Sequence, residues 1–169
     1  MKATSFAIVP ATSKSYHAIL LGGLLCGTLD ITAAFIFYGF LRGRSPIRIL
    51  QSIASGLLGM DAYDGDLATA ALGIALHFMI ALTAAAIYHL ASRKLKLLTQ
   101  HPISCGLLYG VAVYLFMNFI VLPLSAFPHK GAYTSAILIR GLAIHMFCVG
   151  LPISLANSWY SNSEQANKN

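Results

Sequence analysis

The sequence predicts an all-α integral membrane protein. It reads as a four-helix bundle of two parallel two-helix repeats, with an amphipathic helix between helices one and two. Three observations predict this. Of 169 residues 57% are hydrophobic and only 9% charged, against roughly 25% charged in an ordinary soluble domain. Four long apolar stretches take up most of the chain, so residues 1–169 form a single transmembrane domain. Short motifs of the first half also recur in the second.

A spanning helix needs about 20 mostly apolar residues, because ~30 Å of hydrocarbon is crossed at ~1.5 Å per residue. Tyr16–Leu41, Leu67–Ala91, Ile103–Leu124 and Thr134–Ser158 meet that length. The first reads as a retained helix. Its apolar run outlasts the roughly 7–15 residues of a signal core, and no A-x-A-like cleavage site comes after it. The polar lead 1–15 is expected to be mobile, and the Asn/Ser-rich tail from Ser161 to Asn169 disordered.

Between helices one and two, Ser45-Pro46 is a helix start, with Ser as N-cap and Pro at the first position. Ile47, Leu50, Ala54, Leu57 and Leu58 recur at helical spacing, opposite Arg48, Gln51, Ser52 and Ser55. The segment, residues 46–60, is too short to span, so an interfacial helix capping the bundle is expected ahead of a re-entrant one.

Helix one contains Gly23-Leu24-Leu25-Cys26-Gly27 and helix three Gly106-Leu107-Leu108-Tyr109-Gly110. Helix two contains Gly73-Ile74-Ala75-Leu76-His77 and helix four Gly141-Leu142-Ala143-Ile144-His145. The offsets are 83 and 68, and their difference is close to the length of the amphipathic segment. That segment then looks like an extra piece in the first half. Two helices per repeat keep the orientation, so the halves would be related by an axis along the membrane normal.

Each long helix carries a stripe of small residues holding one polar group: Asp30, His77, Asn118 and His145. Small residues let membrane helices approach closely, and polar groups on the same stripe face protein rather than lipid. All four are displaced toward the amphipathic helix, which suggests a polar layer near the midplane. Asp30 is the only carboxylate in a spanning stretch, where its charge costs about 2.5–3.5 kcal/mol on insertion scales. It reads as a proton or cation site, or as one end of an Asp–His or Asp–Arg hydrogen bond with His77 or Arg140. Pro152 removes an N–H from helix four; a kink there could open a cavity or serve plain packing, and packing is expected ahead of the cavity.

Two histidines at matched depth, His77 and His145, also admit a b-type haem held from both sides. His17 and His89 could make a second pair, although the repeat mate of His89 is Asn157. This alternative, a haem or quinone-linked redox protein, ranks below a protein with no cofactor. No resident-metal motif, phosphate loop or Ser/His/Asp arrangement appears, so no catalytic residue is assigned and a non-enzymatic protein is expected. The net charge of +6 is spread along helix ends, without the basic patch that nucleic-acid binding needs. The expected partner is the lipid bilayer, with a homo-oligomer or a larger membrane complex left open. Six cations fall on one side of the bundle and five on the other, so the positive-inside rule decides little. The tight cluster Arg93-Lys94-Lys96 favours cytoplasmic termini.

The surroundings of His77, the run Gly106–Gly110 leading to Met117-Asn118 and Leu122-Pro123-Leu124, and His145 resemble the YagU-like bacterial inner-membrane proteins. These are small four-helix proteins of poorly defined function. The resemblance covers helices two to four and departs at the Arg-rich first loop. It implies a multi-pass protein of the bacterial inner membrane with cytoplasmic termini, and it transfers no catalytic residue.

Overall fold

Local sequence sets each helix end, and helix is the only regular structure among the described residues. The computed structural model describes residues 13–128 and 135–166. Helix α1 (Ser13–Ala34) runs into a π-helical turn, Phe35–Phe40, and is followed by α2 (Pro46–Leu58). The Ser45 side chain accepts from the Arg48 N–H at 3.3 Å, so the predicted cap forms. A 3-10 turn (Gly59–Tyr63) leads into α3 (Asp66–Ser92), then come the short α4 (Leu97–Gln100) and α5 (Pro102–Phe116). A second π turn, Met117–Val121, joins α5 to α6 (Leu122–Leu124). The last long helix is α7 (Ser135–Ile144), a third π turn (His145–Gly150) and α8 (Leu151–Ala166).

Four helices are long and apolar enough to cross a membrane: Tyr16–Phe40, Asp66–Ser92, Pro102–Leu124 and Ser135–Ser161. Their limits fall within three residues of those expected. The tail departs further. Ser161, expected to open a disordered segment, lies inside α8, where its hydroxyl donates to the Asn157 carbonyl at 2.9 Å. The lead 1–12 and Lys130 lie outside the described residues.

The first long helix packs against the second and the fourth, and the third packs on the fourth. The third reaches the second chiefly through Tyr109, whose hydroxyl donates to the Ala84 carbonyl at 2.7 Å and whose ring meets Tyr88 edge-on. The central cluster is Cys26, Ala81, Ala84, Ala85, Tyr88, Val149 and Ile153, mostly small side chains. Larger apolar residues point outward. Leu108, Phe119 and Ile139 are 69%, 73% and 68% exposed, while Ser154 and Asn157 are 0% and 2%.

The duplication appears in the packing. Gly23 lies against Leu82 and Gly27 against Phe78. Applying the offsets of 83 and 68 sends these pairs to Gly106 with Gly150 and Gly110 with Met146, and both contacts are present. The π turn closing the first long helix and that near the end of the third also fall at overlapping repeat positions. The two halves therefore share one helix–helix register.

Where they differ, α2 is the reason. Gly73 of α3 takes the Leu50 backbone of α2 at closer than ordinary contact, whereas its mate Gly141 takes the Tyr114 ring. The face of α2 that packs inward is not the one the apolar spacing marks. Ile49, Gln51, Ala54 and Ser55 are buried, while Ile47, Leu57 and Leu58 are exposed. Gln51 donates to the Asp66 carbonyl at 3.1 Å and to the Thr69 hydroxyl at 3.4 Å. The hydrophobic pattern assumes water outside the fold. Here the polar face finds its partners within the protein and the apolar face lies outward, the arrangement that a lipid solvent would favour.

Both prolines inside the last two long helices come after a π turn, with Pro123 after Met117–Val121 and Pro152 after His145–Gly150. A proline cannot donate and pushes away the carbonyl four residues earlier. The wider turn takes up that misfit: the Leu151 N–H bonds the Met146 carbonyl, five residues back.

Candidate functional site

The four polar residues singled out by the sequence sit on the inner stripes without joining into one hydrogen-bonded layer. His77 reaches across to the first helix, where its Nε2–H donates to the Gly27 carbonyl at 2.8 Å. Gly27 itself packs closely on the second helix, where a Cβ would meet the Phe78 ring at 2.7 Å. His145 turns back on its own helix, donating from Nδ1 to the Gly141 carbonyl at 2.9 Å, with its ring edge-on to Tyr114. Asn118 donates to the Tyr114 carbonyl one turn earlier, at 2.9 Å. His145 opens one π turn and Asn118 lies in another.

Asp30 is different. It is half-buried and has no hydrogen bond or ion pair among the described residues. The expected bond to His77 or Arg140 is not made: His77 is committed to Gly27, and Arg140 lies over the Phe37 ring at 4.6 Å. Its electrostatic neighbours are the thiols of Cys26, one turn earlier, and of Cys148 on the fourth helix. Among the described residues no group of three or more His, Cys, Asp or Glu is placed to hold a metal. The histidine pair proposed for haem has one ring free at Nε2, that of His145. His77 would have to release Gly27 before it could offer its own Nε2.

A second polar cluster lies where α3, α4 and α8 meet. The fully buried Tyr88 hydroxyl lies 2.8 Å from the Ser154 hydroxyl oxygen and 3.0 Å from the Leu98 carbonyl, and its single proton is shared between these two acceptors. Ser154 in turn donates to the Pro102 carbonyl at 2.6 Å, and Ser158 to that of Thr99 at 3.1 Å. Beside them His89 donates from Nδ1 to the Asn157 side-chain oxygen at 2.8 Å, and the Asn157 amide donates to Ser92 at 3.0 Å. The repeat mates His89 and Asn157 thus bond each other. These bonds close the tight connection 93–101 onto the bundle, and the buried His89 Nε2 has no partner among the described residues. Such a knot holds helices in register. Of its members the sequence singles out only His89 and Asn157. The spacing of four in Tyr88/Ser92 and Ser154/Ser158 is the signal for the rest, since it puts polar groups on one stripe of otherwise apolar helices.

Comparison with protein families, with curated proteins and with solved structures finds no match for this chain. Its role must therefore be read from its own residues.

Proposed function

We propose that this chain is a multi-pass protein of a bacterial inner membrane, with both termini cytoplasmic, acting as a non-enzymatic membrane-accessory bundle. One observation carries the membrane reading: large apolar side chains face outward, while small and hydrogen-bonded polar residues are buried. A water-soluble bundle of this size would reverse that arrangement. The YagU-like resemblance supports the inner membrane and the cytoplasmic termini. The accessory reading rests on how the inner polar groups are used. His77, Asn118, His145, Tyr88, Ser154 and Asn157 all bond to backbone or to neighbouring polar side chains, as struts do.

A transport-like second reading has one observation in its favour, the unpartnered Asp30. An intramembrane carboxylate is a site for a proton or cation when nothing in the protein occupies it. Two measurements test the pair of readings. Membranes washed at high pH should retain the protein, and detergent should release it; recovery in the aqueous fraction sinks the membrane reading. Asp30→Asn should leave the fold intact, and growth or uptake of cells carrying it then separates strut from site.

A further inference from the structure

Phe37, in the π turn that ends the first long helix, is buried, and two arginines lie over its ring, one from the turn just after that helix and one from α7. The guanidinium carbon of Arg42 lies 5.3 Å from the ring centroid and that of Arg140, on α7, lies 4.6 Å from it. Sharing one ring keeps the two cations within about 10 Å of each other, inside the range where like charges repel appreciably. Neither arginine has a hydrogen bond or a carboxylate partner among the described residues, and both side chains are exposed. The ring offsets part of the repulsion by cation–π attraction. It cannot supply the oxygen acceptors that two guanidinium forks require.

We propose that Arg42 and Arg140 form a binding site for the phosphate of an anionic phospholipid. A phosphodiester oxygen pair accepts two-pronged bonds from guanidinium, and two such forks on one anion cancel the repulsion between them. The surroundings select the lipid over free phosphate. Ile36, Phe40, Leu41 and Ile139, exposed by 57%, 88%, 63% and 68%, flank the two arginines with apolar surface. A soluble anion gains nothing from that surface, whereas the acyl chains of a lipid would cover it. The position also suits a headgroup, since Arg42 comes just beyond the apolar helix Tyr16–Phe40. The bound lipid would clamp the end of the first long helix to α7, which meet there through Arg140 over the Phe37 ring.

The site presupposes the membrane reading, and the test separates the two. Protein recovered without detergent overturns that reading. Detergent-extracted protein is then titrated with phosphatidylglycerol, phosphatidylcholine or inorganic phosphate, while thermal unfolding and native mass spectrometry are monitored. Phosphatidylglycerol should raise the midpoint by several degrees and remain bound in the gas phase. Phosphatidylcholine and inorganic phosphate should do neither. Arg42→Gln with Arg140→Gln should abolish the shift, while Arg93→Gln with Lys94→Gln, at the other end of the bundle, should keep it. If the double arginine variant does not accumulate, Arg42→Lys and Arg140→Lys each read the same loss, because they keep the charge and lose the fork. An equal shift with phosphatidylcholine or inorganic phosphate, or a shift that survives in the arginine variants, would overturn the site.

Discussion

The contact between the third and fourth long helices is so close that one methyl group should be enough to damage it. A Cβ built on Gly110 would lie 2.5 Å from the Met146 Cα and 2.8 Å from the His145 carbonyl carbon, all backbone atoms. Ordinary contact begins near 3.4 Å, so Gly110→Ala must push the two helices apart by about 0.9 Å. Backbone cannot rotate aside as a side chain does, so the cost lies at the upper end of the ~1–3 kcal/mol typical of overpacking. At roughly 2–4 °C per kcal/mol for a chain of this size, the unfolding midpoint should fall by about 5–12 °C. The repeat mate is an internal control. A Cβ on Gly27 meets the Phe78 ring at 2.7 Å, the end of a side chain that can swing, so Gly27→Ala should lose less. Gly56 is a second control, since its Cβ would reach nothing nearer than Ser125 at 3.9 Å. Gly56→Ala should match the parent or gain slightly from the helix propensity of alanine. Thermal unfolding of the three variants in one detergent, read by fluorescence-detected size exclusion, gives the order. Reasoning from the close approach is refuted if Gly110→Ala unfolds within a degree of the parent, or if Gly27→Ala is the more damaging change.

The polar groups give three more expected outcomes. Tyr88→Phe removes the hydroxyl that bonds Ser154 and Leu98, leaving buried acceptors unpaired, and should cost about 1–3 kcal/mol; an unchanged unfolding midpoint would show that water replaces it. Asp30→Leu should fold at least as well as the parent, because no hydrogen bond among the described residues is lost and a half-buried carboxyl group is replaced by an apolar one. Loss of folded protein in that variant would mean the carboxylate has a structural partner. Purified protein from haem-supplemented cells should be colourless, since His77 is held by Gly27; a Soret band lost in His145→Ala would instead establish the haem alternative.

The four long helices are legible in the sequence because their length and apolar composition are properties of each segment alone and do not depend on partners. The duplication is legible too, because Gly23/Gly27 and Gly106/Gly110 must keep their register wherever helices meet backbone to side chain or backbone to backbone. The orientation of α2 is not. Hydrophobic periodicity marks which face avoids water, and in α2 the face carrying Gln51 and Ser55 turns toward α3 instead. The polar residues can be found singly but not their pairings. A histidine such as His77 can bond a carboxylate or a backbone carbonyl, and only the tertiary packing of the first two long helices brings it to the Gly27 carbonyl. The Tyr88–Ser154 knot depends on α4 folding back over the bundle, a tertiary event that leaves no local mark.

The central claim is that α3 crosses a membrane, with its two ends in different compartments. Asp64 and Lys94 lie just beyond those ends, and both are exposed. In a background with Cys26, Cys105 and Cys148 replaced by alanine, Asp64→Cys and Lys94→Cys are each exposed to a membrane-impermeant maleimide on intact spheroplasts. Asp64→Cys should label at once, and Lys94→Cys only after the membrane is opened. Labelling of both positions from the same side would contradict a spanning α3.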